Sequence, residues 1–209
     1  MPYTGNKPSA VPLTSADIAD SIITSAKIVD GTIVNDDINA SAAIVNSKLS
    51  GVGITQADVF RLTTDFTGNA TPIASNWERA DDASSGLIGT GMTQSSGIFS
   101  FPSTGIYLVT FIHNFYHTSD DRAVGNTINV SIDGGSTYDE VCEGLGFLKN
   151  VSPGSNSVDS ATASCLIDVT STANVKVRFS VTKITAGTTT YGTSDSNRTF
   201  VTFIRLGDT

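Results

Sequence analysis

Leu13, Ile18, Ile23, Ile28, Ile33 and Ile38 are spaced by five, and after a one-residue slip at Ala43 the series resumes at Ile44, Leu49, Ile54 and Val59. A step of five carries an α-helical residue about 140° past a full circle and puts a strand residue on the opposite face. Neither regular element gathers these side chains on one side, so the backbone has to bend once per repeat. Small or polar residues stand between them, as in Ser15-Ala16-Asp17-Ile18, Ser25-Ala26-Lys27-Ile28 and Gln56-Ala57-Asp58-Val59. A stem over 13–59 with one thin file of aliphatics, Leu13 to Ile54, as its core buries little per repeat and is marginal alone. It is expected to stack on the next domain or to associate with copies of itself.

The pattern resembles the pentapeptide repeat, Ala-(Asp/Asn)-Leu-x-x, whose short strand-and-turn pieces wind a solenoid with one aliphatic per face pointing inward. The match is loose, because Asp36-Asp37-Ile38, Gly31-Thr32-Ile33 and Ser47-Lys48-Leu49 replace the alanine. The run from Asp17 to Ile28 is also similar to segments near the amino ends of tailed-phage fibre proteins. That resemblance implies a core shared between the subunits of a trimer, so a single-chain solenoid and a three-chain intertwined stem both stay open.

From Val59 onward the chain reads as strands divided by Gly, Ser and Asn clusters. Strands are expected near 59–66, 72–77, 97–101, 105–115, 126–132, 138–142, 161–169, 175–184 and 198–206, with no helix signal. Ser and Thr make up roughly a quarter of the chain, charged residues only 15%, and there are 19 Gly, a composition suited to extended and turn-rich structure. Val175, Val177, Phe179 and Val181 alternate with Lys176, Arg178, Ser180 and Thr182, which predicts one buried and one polar face. The segment 105–116 is apolar on both faces: Tyr107, Val109, Phe111 and Phe115 on one, Ile106, Leu108, Ile112 and Tyr116 on the other. A lone sandwich has little use for such a strand unless its second face meets another subunit.

The run Gly97-Ile98-Phe99-Ser100-Phe101-Pro102-Ser103-Thr104-Gly105-Ile106-Tyr107-Leu108-Val109 resembles the most recognisable segment of the tumour-necrosis-factor-like family, in its complement globular-head branch. There Gly-x-Phe-x-x-Pro-x-x-Gly-x-Tyr precedes a long core strand. Asn76-Trp77 and the closing stretch 198–206 resemble other parts of the same branch. Over 60–209 the likeness implies a ten-stranded jelly roll and a compact homotrimer, with Tyr107, Val109, Phe111, Phe115 and Phe203 as the expected trimer core. The chain departs from the complement proteins in lacking collagen Gly-x-y repeats.

Little in the sequence points to catalysis. Ser131-Ile132-Asp133-Gly134-Gly135-Ser136-Thr137-Tyr138 matches the Asp-box of sialidases, which is a hairpin turn and not a catalytic group. His113 and His117 on a strand lie about 13 Å apart, too far for one zinc ion. Asp81-Asp82 and Asp120-Asp121 are expected as solvated loop ends, with weak Ca²⁺ binding as the sharper alternative. Cys142 and Cys165 make neither a disulfide framework nor a zinc pair, and are expected as buried thiols whose pairing is open. No nucleophile elbow, phosphate-cradling glycine loop or singled-out carboxylate pair occurs. With 12 Lys+Arg against 20 Asp+Glu, a net charge of −8 and no basic cluster, nucleic acid is a poor partner. No apolar run reaches the roughly 18 residues of a membrane span, and the first residues lack a signal peptide's pattern, so Asn-x-Ser/Thr sequons such as those at Asn69, Asn129, Asn150 and Asn197 are not expected to carry glycans.

The expectation is therefore an all-β, non-enzymatic virion fibre protein of a phage, with no cofactor. Residues 1–12 would attach to another virion protein, 13–59 form the stem, and 60–209 form a trimeric head that binds a host surface glycan or protein. Loops at 80–96, 117–125, 144–160 and 185–197, with Phe147 and Tyr191, would supply the recognition surface. The alternative is a capsid decoration, head fibre or tail-assembly adaptor with a structural role. A polysaccharide-degrading spike is disfavoured by the missing acid pair.

Overall fold

The computed structural model describes residues 23–39, 41–42, 44, 53–149, 152, 154–185 and 187–209. The chain divides into two compact units, Met1–Ser50 and Gly51–Thr209. Leu13, Ile18, Leu49 and the attachment segment 1–12 lie outside the described residues.

In the first unit the five-residue period is realised as one turn per repeat. Lys27 N–H donates to the Thr24 carbonyl, Thr32 to Val29, Asp37 to Val34 and Ala42 to Asn39, at 2.8–3.1 Å. The acceptors are themselves five apart, and Ile23, Ile28, Ile33 and Ile38 each stand immediately before one. Side chains reinforce these turns: Val34 N–H donates to Asp37 Oδ2 at 2.9 Å, and Ser41 N–H to Asn39 Oδ1 at 2.7 Å. Two of the turns are 3₁₀, at Ser25–Lys27 and Asn35–Asp37. Among the described residues of this unit there is no strand. The isoleucine file stays open in one chain, where Ile23, Ile28, Ile33, Ile38 and Ile44 are 39% to 56% exposed. Ile54, in the second unit, is exposed as well. These residues are not the core of a single-chain solenoid, which corrects that form of the expectation.

The second unit is a sandwich of β1 (Ala57–Leu62), β2 (Thr64–Thr67), β3 (Trp77–Arg79), β4 (Thr93–Ser95), β5 (Ile98–Ser100), β6 (Gly105–His117), β7 (Asp121–Ser131), β8 (Asp139–Leu148), β9 (Ser157–Val169), β10 (Lys176–Thr182), β11 (Thr189–Thr193) and β12 (Phe200–Gly207). One sheet has seven strands, ordered β2-β11-β6-β12-β1-β3, with β9 along the other edge of β6. The other has five, ordered β4-β5-β10-β7-β8. From β5 onward the chain crosses between sheets at β5–β6, β6–β7, β8–β9, β9–β10 and β10–β11, which is jelly-roll winding.

The segment 97–107 shows why its residues have that spacing. Gly97 takes a φ of 75° to enter β5, and Phe99 and Phe101 then point into the core. Gly105 opens β6 at a φ of 138°, where a Cβ would sit 2.4 Å from Arg205 Nε. The Tyr107 hydroxyl closes the bend by donating to the Ser103 carbonyl at 3.1 Å. Trp77, following Asn76 at a φ of 65°, is buried and donates from Nε1 to the Ile73 carbonyl at 2.9 Å. Phe60, Trp77, Phe99, Phe111, Phe179 and Phe203 meet at ring-centroid distances such as 5.2 Å for Phe60–Phe99 and 5.3 Å for Phe99–Phe179. Full burial of each such side chain contributes about 1.5–3 kcal/mol, so this cluster dominates the stability of the sandwich.

Three sequence expectations change. The stretch 72–77 is a loop that only enters β3 at Trp77, β4 and β11 were not anticipated, and much of the expected 117–125 and 144–160 loops is strand. The larger correction concerns the trimer core. Tyr107, Val109, Phe111, Phe115 and Phe203 are all 0–1% exposed within one chain, because odd positions of β6 face the opposing sheet. They hold the sandwich together and offer nothing to a neighbouring subunit. The even positions of β6, on the outward side, are half-buried.

Candidate interaction surfaces

The register of four strands defines the outer face of the seven-stranded sheet. Leu166, Leu108, Ile204 and Ala57 form one row across β9, β6, β12 and β1. Ser164, Thr110, Thr202 and Val59 form the next, and Thr162, Ile112, Phe200 and Arg61 a third. Thr110 Oγ1 and Ser164 Oγ share a hydrogen bond at 2.8 Å, so the polar residues in the middle row are satisfied within the sheet. Around them Leu108, Ile112, Phe200 and Ile204 are only half-covered, and Leu166 is 63% exposed. A second apolar surface lies on the outward side of β8, the edge strand of the five-stranded sheet, where Val141, Leu145 and Phe147 are exposed, while Val158, opposite Tyr116, continues the flat face along β9.

Arg61 bounds the flat face. Its guanidinium is buried, with Nε on Glu78 at 2.8 Å, Nη2 on Asp81 at 2.7 Å and Nη1 on Asp82 at 2.5 Å. Asp81 and Asp82 are exposed after β3, as expected of solvated loop ends, and through Arg61 they also anchor that loop. Asp58, also buried, accepts from Arg79 Nε at 2.9 Å and from Met92 N–H at 2.7 Å, fixing the far end of the same excursion. Asp121 is buried at the start of β7 and accepts from Thr185 Oγ1 at 2.8 Å and Thr188 Oγ1 at 2.6 Å. A solvated Asp121 is therefore corrected to a structural acceptor. Among the described residues no group of three His, Cys, Asp or Glu side chains is placed to hold a metal ion.

Asp133 performs the turn role expected of it. It accepts from the Ser131 and Thr137 hydroxyls at 2.7 Å each and from the Ser136 and Thr137 amides at 3.0 Å each. The Thr137 and Ser131 hydrogen bonds hold its carboxyl well below the usual carboxylate range. Gly134 and Gly135, at φ of 79° and 98°, supply the bend between β7 and β8. His113 and His117 share a face of β6 but have separate partners. His113 Nε2 is 2.9 Å from Thr190 Oγ1 inside the core, whereas His117 Nδ1 accepts from Ser119 N–H at 2.8 Å.

Of the aromatics assigned to loops, Phe147 is on the edge strand β8. Tyr191 is on β11, stacked 4.3 Å from Tyr116 under the Arg198 guanidinium. The buried roles of Arg61 and Asp121 left no signal in the sequence, because their partners lie 17 to 67 residues away.

No protein-family model matches the chain, and no curated protein sequence matches it. Solved structures do. A crystal structure of murine APRIL at pH 5.0 is 12% identical with a TM-score of 0.52, covering 72% of this chain and 98% of that one. The structure of Eiger TNF from S. frugiperda is 16% identical with a TM-score of 0.53, covering 73% of this chain and 93% of that one. At such identity what is shared is the fold, and the second unit of this chain is a TNF-like jelly roll.

Proposed function

We propose that the chain is a non-enzymatic, homotrimeric fibre protein of a phage virion whose jelly-roll head attaches to a host surface receptor. The observation that carries the trimer is the presence of two apolar surfaces on one chain, the half-buried Leu108–Ile112–Phe200–Ile204 face with the exposed Leu166 beside it, and the exposed Val141–Leu145–Phe147 edge. An exposed patch of this kind marks an interface. The open isoleucine file of the first unit supports the same reading, since five half-exposed isoleucines would gain burial from neighbouring copies. Fibre function rests on the combination of a five-residue repeat with a TNF-like head, and attachment rests on three heads acting together. Multi-angle light scattering of the full chain is expected to give about three times its 21.7 kDa. A folded monomer at micromolar concentration would remove the basis of the proposal. Immunogold electron microscopy of intact particles, with an antibody to the head, is expected to label fibre tips at the tail. Label confined to the capsid moves the protein to a decoration role.

A further inference from the structure

Cys142 and Cys165 lie on β8 and β9, strands of different sheets that run side by side at the sandwich edge. The approach of the two backbones is close. A Cβ on Gly144 would sit 2.4 Å from the Thr162 carbonyl, and one on Gly146 would sit 3.4 Å from the Ser160 carbonyl. That antiparallel register places Cys142 opposite Ser164, and the Cys142 thiol donates to the Ser164 carbonyl at 3.4 Å. Cys165 is the next residue.

Both side chains point inward. Cys142 shares its face of β8 with the buried Gly144 and Leu148, and Cys165 shares its face of β9 with the buried Ala163 and Ile167. Both pack against the main core, half-buried and unbonded to each other. Diagonal neighbours on strands this close fall within the roughly 7 Å Cα separation that a disulfide spans. Burial pushes the Cys165 thiol up to about 11, and the adjacent Cys142 thiol adds to the shift. The plain alternative is a pair of small apolar fillers.

We propose that Cys142 and Cys165 form a dithiol pair that closes to an intrachain disulfide in an oxidising medium, stapling the two sheets at their shared edge. The inference is independent of the fibre reading and of the trimer. With a low-molecular-weight disulfide such as oxidised glutathione, the Cys142 thiolate attacks one glutathione sulfur. The glutathione S–S bond breaks, and one glutathione leaves as thiolate and is protonated. Cys165 loses its proton to solvent and attacks the Cys142 sulfur, expelling the second glutathione. Two protein thiols are oxidised by two electrons, and one glutathione disulfide is reduced to two thiols. Cys165, whose thiol burial holds up at about 11, acts second.

The test uses the intact, fully reduced protein incubated with oxidised glutathione at pH 8, quenched with N-ethylmaleimide and weighed by mass spectrometry after denaturation. Closure is expected to abolish both maleimide additions and to lower the mass by about 2 Da, the two hydrogens lost. Peptide mapping should join Cys142 to Cys165, the chain should run as a single chain on a non-reducing gel, and its melting temperature should rise by several degrees until dithiothreitol is added. Cys165→Ser should stall as a glutathione adduct on Cys142, whereas Cys142→Ser should leave Cys165 unmodified. Two maleimides on the treated wild type, a lasting glutathione adduct on it, or disulfide-linked dimers would overturn the pairing. An unreactive C165S would overturn the assigned order of attack.

Discussion

His113 sets a pH limit on the head. It is fully buried on the inner face of β6, its ring 5.0 Å from that of Phe115 and 6.1 Å from that of Phe111. Its Nε2 meets Thr190 Oγ1, while Nδ1 has no partner among the described residues. Burial lowers its pKa from 6.5 to about 3, because a charged imidazole there has no counter-ion. The unfolded chain binds a proton at about 6.5 and the folded chain does not until about 3, so below pH 6.5 the unfolded state holds more protons. Stability is therefore complete above pH 6.5 and falls as pH drops through the interval between those values. Each unit costs about 1.4 kcal/mol, giving about 2 kcal/mol at pH 5 and a limit near 5 kcal/mol. Above pH 5 most carboxylates, with ordinary values of about 4, add little. Asp133, held lower still, adds nothing in that window. The assay is urea unfolding followed by Trp77 fluorescence at pH 8.0, 6.5, 5.5 and 5.0, at one fixed chain concentration because association shifts the midpoint. His113→Phe should flatten the profile between pH 6.5 and 5, whatever it does to the stability at pH 8. A wild type equally stable at pH 8 and pH 5, or an H113F protein with the same slope as wild type, would refute the reasoning.

Other substitutions separate the two faces of β6 and the two kinds of position in the stem. Leu108→Asp, on the outer face, is expected to reduce the light-scattering mass to that of one chain while the near-ultraviolet circular dichroism stays native; Val109→Asp, one place along and fully buried, should abolish that signal. Ile28→Asp should weaken association of the full chain by several kcal/mol, on the order of a buried unpaired carboxylate, whereas Val29→Asp should be mild. Equal effects at the two sites would mean that the isoleucine file is not the shared surface. Gly105→Ala forces a Cβ into the space of Arg205 Nε and the Gly207 carbonyl at a φ of 138°, and should lower the unfolding free energy by about 1–3 kcal/mol in urea.

What the sequence revealed depended on whether a residue's role is local. The Gly97-to-Tyr107 run was legible because each glycine, the proline and the tyrosine act within ten residues of one another, through φ and a short hydrogen bond. The alternation of Val175 to Val181 was legible because one face of β10 is buried and the other polar. On β6 the same logic stops short: Ile106 to Tyr116 and Tyr107 to Phe115 are both apolar, so periodicity shows two faces without showing which one meets the opposing sheet. The aromatic side went inside, where Phe111 and Phe203 join the ring cluster around Phe99 and Phe179. β4 and β11 passed unnoticed because Thr-Gln-Ser and Thr-Thr-Tyr-Gly-Thr carry few apolar residues and are held by pairing with β5, β2 and β6. Arg61 and Asp121 were illegible because their partners arrive from remote segments.

The two outer faces of the sandwich differ in chemistry, and this difference bears on where a receptor would be met. The seven-stranded sheet is apolar outside, with Leu108, Ile112, Phe200 and Ile204, and its burial rewards any copy of the chain that fits it. The five-stranded sheet is mixed: on β7 and β10 the buried Thr127 and Ser180 donate their hydroxyls to Asn129 Oδ1 at 3.2 and 2.9 Å and Arg178 lies 4.1 Å above the Tyr138 ring, whereas its edge strand β8 exposes Val141, Leu145 and Phe147. Arg178 Nε, Tyr138 Oη and Thr182 Oγ1 on this side have no hydrogen-bond partner among the described residues. These three atoms are buried in one chain, so they belong to the packing of the sheet and not to a surface that a ligand meets. In the proposed trimer, association covers apolar surface of both sheets and presents three copies of what it leaves exposed, so weak individual sites there would act through effective concentration.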